Sequence, residues 1–195
     1  MPANPARRIL RADPELHQPK DMLVRRSSVI GALAAALVLN AALAMADGSG
    51  DPTAVKDEDG KYYDAQGNPT YKVESDKSVD WYTYSGFRRY HSDCHTCHGP
   101  DAEGSSYAPG LKDSLRTMSY ADFANIAVNG RKNVTTSQEN VMPAFGTDQN
   151  VMCYLDDIFV YVRARANEAV ARGRPQKHAD KPKTAQENEK SCMGH

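Results

Sequence analysis

Two thiols and an imidazole stand together at Cys94-His95-Thr96-Cys97-His98. Each thiol of a CxxC pair can bond to one vinyl-derived carbon of a haem, and the histidine that follows then lies beneath the iron as its proximal ligand; this is the spacing of c-type haem attachment. Two other chemistries use the same thiols. A redox-active CxxC belongs in a βαβ setting, and a zinc ribbon needs a second CxxC. The pattern of this chain offers neither, so the reading is one covalent haem c on Cys94 and Cys97 with His98 on the iron.

The iron then needs a sixth ligand or an open position. Met118, Met142, Met152 and Met193 all follow the motif. Met142-Pro143-Ala144-Phe145-Gly146 lies in a polar stretch, where the chain can fold over the distal haem face. Met152 falls on a predicted helix, where filling a core gap accounts for it; Met118 directly precedes a helix cap and is the next candidate. Met142 is the expected axial ligand. Once haem occupies two cysteines, Cys153 and Cys192 remain as an even pair, and in an oxidising compartment they are expected to form a disulfide.

These residues need elements to position them. The chain of 195 residues has an ordinary globular composition, 40% hydrophobic and 25% charged, which excludes a polytopic membrane protein. Its 24 basic residues nearly balance 25 acidic ones, so it lacks the basic excess of a nucleic-acid binder. Residues 1–46 carry Arg7, Arg8, Arg11, Lys20, Arg25 and Arg26 against three acids, which leaves 18 basic against 22 acidic residues in the rest. The apolar run from Val29 to Ala46 follows Arg25-Arg26 and ends Ala44-Met45-Ala46, a secretory signal cut after Ala46. Residues 1–21 become an extension if translation starts at Met22. Stable membrane insertion is not expected once the signal is removed.

Residues 47–77 read as an acidic, Tyr-containing arm, extended or hairpin-like, punctuated by Gly60, Gly67 and Pro69. The core is expected over 78–171 and a polar tail without regular structure over 172–195, held back by the disulfide. Three helices are predicted in the core. The first runs over 78–90, with Trp81, Tyr84, Phe87 and Tyr90 near one face. A second starts at a Ser119-Tyr120-Ala121-Asp122 cap and stops at Gly130. A third runs over 150–171, with Val151, Leu155, Ile158 and Val162 on one stripe. No stretch alternates well enough to build a sheet, so the fold class is all-α.

Together, Gly86 and Tyr90 upstream of CxxCH, Pro109-Gly110-Leu111, the helix ending at Gly130, the MPAFG loop and a terminal helix bearing Tyr161 resemble the class I cytochromes c. The resemblance implies helices packed around one haem. It implies that the first and last helices cross where Gly86 approaches Tyr161, with Tyr90 in the haem packing. It also implies that the Pro109 carbonyl accepts the Nδ1 proton of His98 and fixes its ring. The acidic arm with Tyr71-Lys72-Val73-Glu74, the segment Val79-Asp80-Trp81-Tyr82 and the extra Cys153 and Cys192 are similar to the methanol-metabolism-related four-cysteine c-type cytochromes. That similarity implies a periplasmic monohaem carrier with no catalytic residues of its own. The similarity further implies that such a carrier accepts single electrons from a pyrroloquinoline-quinone (PQQ) alcohol or methanol dehydrogenase and passes them to a downstream cytochrome or oxidase. A general carrier feeding a terminal oxidase is the alternative, and a haem peroxidase or haem sensor with an open distal side is the alternative from another class.

Overall fold

The computed structural model describes residues 48, 50–134 and 139–194; the predicted signal segment and its cleavage point lie outside the described residues. The first helix, α1 (Trp81–Asp93), starts three residues later than predicted because its cap is Asp80. Asp80 is extended and its Oδ1 accepts from the Thr83 N–H at 2.8 Å, which satisfies one of the four orphan donors of a helix start. Ser78 instead donates its hydroxyl to Asp76 at 2.7 Å. Short helices α2 (His95–His98) and α3 (Leu111–Ser114) follow, separated by a 3-10 turn at Pro100–Ala102. The helix α4 (Tyr120–Asn129) is capped by Ser119 and ends at Gly130, whose φ of 73° lies where glycine is favoured.

The predicted third helix is broken. The segments α5 (Gln149–Met152) and α6 (Leu155–Ala166) are separated at Tyr154, whose backbone (φ −129°, ψ 19°) leaves the helical region. The apolar stripe survives the break, since Val151, Leu155, Ile158 and Val162 are all buried. Helix α6 is the central element. It crosses α1 at Gly86, where a Cβ would fall 1.8 Å from the Asp157 carbonyl oxygen and 2.9 Å from the Tyr161 Cβ. The main apolar cluster of Tyr90, Leu115, Phe123, Phe159, Tyr161 and their neighbours is built around this crossing.

The helical core carries two small antiparallel sheets, a departure from the expectation that no sheet forms. Strands β1 (Lys56–Glu58), β2 (Lys61–Tyr63) and β3 (Pro69–Thr70) pair in that order, with Asp57 opposite Tyr62 and Tyr62 opposite Thr70. Strands β4 (Arg131–Val134) and β5 (Glu139–Met142) form a hairpin, with Lys132 opposite Val141. Strands of two to four residues are too short for alternation to show in the sequence.

The arm is fastened to the core by a residue of α6. The Arg163 side chain is fully buried, 2.9 Å from Asp64 Oδ2, and its Nη1 donates to the Pro69 carbonyl at 3.0 Å. The tail also differs from expectation, because residues 183–193 form a helix, α7 (Lys183–Met193). Its own Pro182 offers no side-chain cap, but the Asp59 carboxylate of the β1–β2 turn accepts from the Thr184 N–H at 3.1 Å. Ala185 buries the inner face, and Cys192 is bonded to Cys153. A run of good helix formers (Lys-Thr-Ala-Gln-Glu-Asn-Glu-Lys) thus gains the cap and anchor that its apolar-poor sequence does not advertise. Among the described residues no helix is long and apolar enough to cross a membrane.

Candidate haem site

The attachment motif sits where α1 ends. Cys94 is the cap of α1, its N–H donating to the Tyr90 carbonyl, and α2 carries Thr96, Cys97 and His98. Both thiols are free; Cys94 is half-buried against the main cluster and Cys97 is exposed. Burial, reinforced by Asp93 and Cys97, pushes the Cys94 thiol up to about 12. A redox CxxC depends on a thiol lowered toward neutrality, so the shift runs against that reading. Among the described residues no group of three or more His, Cys, Asp or Glu is placed to hold a metal ion, which leaves a zinc-type CxxC without partners.

His98 is held from three directions. Its Nδ1 lies 2.9 Å from the Pro109 carbonyl oxygen, which can only accept, so Nδ1 carries the proton and Nε2 keeps its lone pair for a metal. Its backbone carbonyl accepts from the Gly104 N–H at 2.8 Å, and the Tyr90 hydroxyl donates to the His98 and Gly99 carbonyls at 3.1 and 2.6 Å. The loop between them is wound so tightly that a Cβ on Gly99 would fall 2.0 Å from the Gly104 carbonyl oxygen; both glycines have positive φ. Tyr90 and Tyr161 lie with ring centroids 5.5 Å apart, joining the α1–α6 crossing to this loop.

Met142 is the last residue of β5, paired with Arg131 and half-buried. The loop that follows it is pinned to the end of α4, the Phe145 N–H donating to the Ala127 carbonyl at 2.9 Å and the Gly146 N–H to the Val128 carbonyl at 3.0 Å. Gly130 makes the approach possible, since a Cβ there would fall 2.6 Å from the Met142 carbonyl oxygen. Met118 and Met152 instead pack on the main cluster. Two unpaired thiols, an imidazole oriented through Nδ1 and a thioether on a fixed loop fit a covalently held haem.

A solved structure, that of c-type cytochrome XoxG from Methylobacterium extorquens AM1, is 54% identical and superposes with a TM-score of 0.67 over 72% of this chain and 86% of that one. The chain belongs to the class I c-type cytochromes. Its cofactor is one covalent haem c, and its general role is that of an electron carrier. Residues 83–162 of the cytochrome match the family described as cytochrome c oxidase, cbb3-type, subunit III. It is 52% identical over 136 residues to cytochrome c-553I of Paracoccus denitrificans, covering 70% of this chain and 60% of that protein. With cytochrome c-555 of Methylococcus capsulatus it shares 35% identity over 100 residues, covering 51% of this chain and 75% of that protein. The cytochrome therefore spans less than two thirds of the length of cytochrome c-553I.

Two residues that shape the cytochrome's proximal loop were not among the sequence candidates. Asp101 holds a positive φ of 57° and is 7% exposed; its Oδ1 accepts from the Gly173 N–H at 2.9 Å. Arg165, on α6, clamps the same loop, its Nε donating to the Asp101 carbonyl at 3.1 Å and its Nη2 to Glu103 at 2.7 Å. Arginines at 163 and 165 within the otherwise apolar stretch 158–166 were the available signal, because a charge on a buried face requires a partner.

Proposed function

We propose that the cytochrome is a periplasmic one-electron carrier with His98 and Met142 as axial ligands, reduced by a PQQ-dependent alcohol or methanol dehydrogenase and oxidised by a downstream cytochrome or oxidase. The observation that carries the reading is the His98–Pro109 hydrogen bond, which leaves Nε2 as the ring's only lone pair. A thioether from the pinned Met142 loop would fill the other axial position, leaving none for peroxide or dioxygen. When bound, haem supplies a one-electron iron couple whose potential a methionine ligand raises. The chain's residues hold that couple still: Pro109, Tyr90 and Gly104 fix the proximal ring and its carbonyl, and the Ala127 and Val128 carbonyls fix the distal loop.

Methanol metabolism is supported by the four-cysteine pattern and by the acidic arm and the Val79-Asp80-Trp81-Tyr82 segment that carry the resemblance. The identity with XoxG across 86% of that chain supports it further. A two-electron donor then needs two molecules of this carrier per turnover. Tyr107 (76% exposed) and Val141 (51%), near the attachment motif and Met142 in sequence, together with exposed Cys97, suit a small apolar contact at the haem edge. The test is stopped-flow mixing of oxidised cytochrome with each reduced quinoprotein dehydrogenase of the host. Rapid haem reduction by the methanol enzyme supports the assignment; reduction by none of them, with normal reduction by another periplasmic donor, overturns it in favour of a general carrier.

A further inference from the structure

Away from the haem residues, a cleft of about 240 Å³ opens where α1, the start of α6 and the tail meet. Tyr154 lines it, is only 7% exposed, and its hydroxyl has no hydrogen-bond partner among the described residues. Leaving a buried donor unmade is costly, so this hydroxyl calls for a partner from outside the chain. Tyr154 is also the N-cap of α6, a 12-residue helix without a side-chain cap, and the first-turn residues line the same cleft. The helix start adds positive potential there.

Cations crowd the mouth. The Arg89 guanidinium lies 3.6 Å from the centre of the Tyr154 ring, and Arg88 and Lys181 line the same wall. Arg89 and Lys181 both reach Glu189. Burial first, and then Arg89 and Arg88, press the Lys181 ammonium below its ordinary range, with Asp157 opposing. The other acids are already engaged. Asp156 is bound by Lys61 at 2.6 Å and by the Tyr120 hydroxyl, and buried Asp157, hydrogen-bonded by Ser85, is pushed up to about 7.

We propose that this cleft binds a small oxyanion of the phosphate or sulfate class, with Tyr154 donating its hydroxyl and Arg88 and Arg89 supplying charge. A large anionic group fits poorly, because the hydroxyl lies deep and Arg89 covers the ring. Lys181 reaches the site because the tail is tied back at Cys153–Cys192, so the site is built from three parts of the chain.

The test is calorimetric titration of reduced holo-cytochrome with sodium phosphate at matched ionic strength in chloride buffer. Saturable one-site binding with a dissociation constant on the order of 1 mM is expected. Tyr154→Phe keeps the ring under Arg89 and removes only the hydroxyl; it weakens binding about fivefold or more, and Arg88→Gln about tenfold. Lys112→Gln, in a separate basic cleft, leaves binding unchanged. Thermal midpoints in phosphate and chloride provide a second reading, since a general salt effect raises every variant equally. Absence of saturable heat in the native protein, or binding by both cleft variants as tight as that of the native protein, would mean that water alone satisfies Tyr154 and would overturn the proposal.

Discussion

The proposed ligation by Met142 and the burial of Asp157 each tie a single side chain to a measurable property. Thioether ligation of ferric haem gives an absorption band near ~695 nm and raises the potential. Met142→Ala is therefore expected to abolish that band and lower the potential, while Met118→Ala, on the packed core, keeps both; a Met142→Ala protein that retains the band would remove Met142 from the iron. Asp157 is governed by burial. Its folded value of about 7 exceeds its ordinary 3.8, so the fold prefers it protonated. The stabilisation is fully present below the unfolded value and is lost as pH rises through the folded one. Asp157→Asn removes that loss, and its stability advantage over the native protein should grow from pH 4 to pH 8 by on the order of 2 to 4 kcal/mol. Denaturant titrations across that range check it, and a pH-independent difference would contradict it.

Among the elements, α1 and α6 were legible from apolar spacing, and their crossing at Gly86 only through the resemblance to the class I cytochromes c. Helix α4 was equally legible, because Ser119 and Gly130 mark its ends with the chemistry that helix termini need. What the sequence hid depends on distant partners. The break at Tyr154 interrupts no apolar periodicity, and α7 owes its first-turn cap to Asp59 from the other end of the described chain. Arg163 has the same character, since its partners Asp64 and Pro69 belong to the arm. Of the haem site, CxxCH and the Met142 loop could be read directly, Pro109 only through resemblance, and the Asp101–Arg165 clamp not at all. Two changes probe these joints. Gly86→Ala sets a Cβ against backbone rather than a yielding side chain, and a loss of about 3 kcal/mol or more in urea unfolding is expected. Arg163→Met leaves Asp64 buried without its cation and should cost about 3 to 5 kcal/mol, read in the same way.

For the whole molecule, the disulfide and the charge distribution act at long range. Cys153–Cys192 closes a loop with a sequence separation of 39. On the chain-entropy account that contributes about 4 kcal/mol, so the Cys153→Ser, Cys192→Ser double variant should unfold at correspondingly lower denaturant. Reduction by the dehydrogenase proposed as donor, if steered by the acidic arm and the tail, whose residues 172–195 carry six basic against three acidic side chains, should change severalfold between about 10 and 200 mM salt. A flat profile would mean that the two ends are merely solvated.

The crossing of Gly86 with Asp157 also bears on the order of events during synthesis. The chain is made from its N-terminus, so α1 and the thiols at 94 and 97 emerge well before α6, whose residues build the cluster against which Cys94 packs. A 13-residue helix is marginal in water alone, and α1 without α6 stays open. Cys94, half-buried against the cluster that α6 completes, is therefore expected to be more open to an attachment apparatus before α6 packs than after, whereas Cys97 stays exposed in the folded chain.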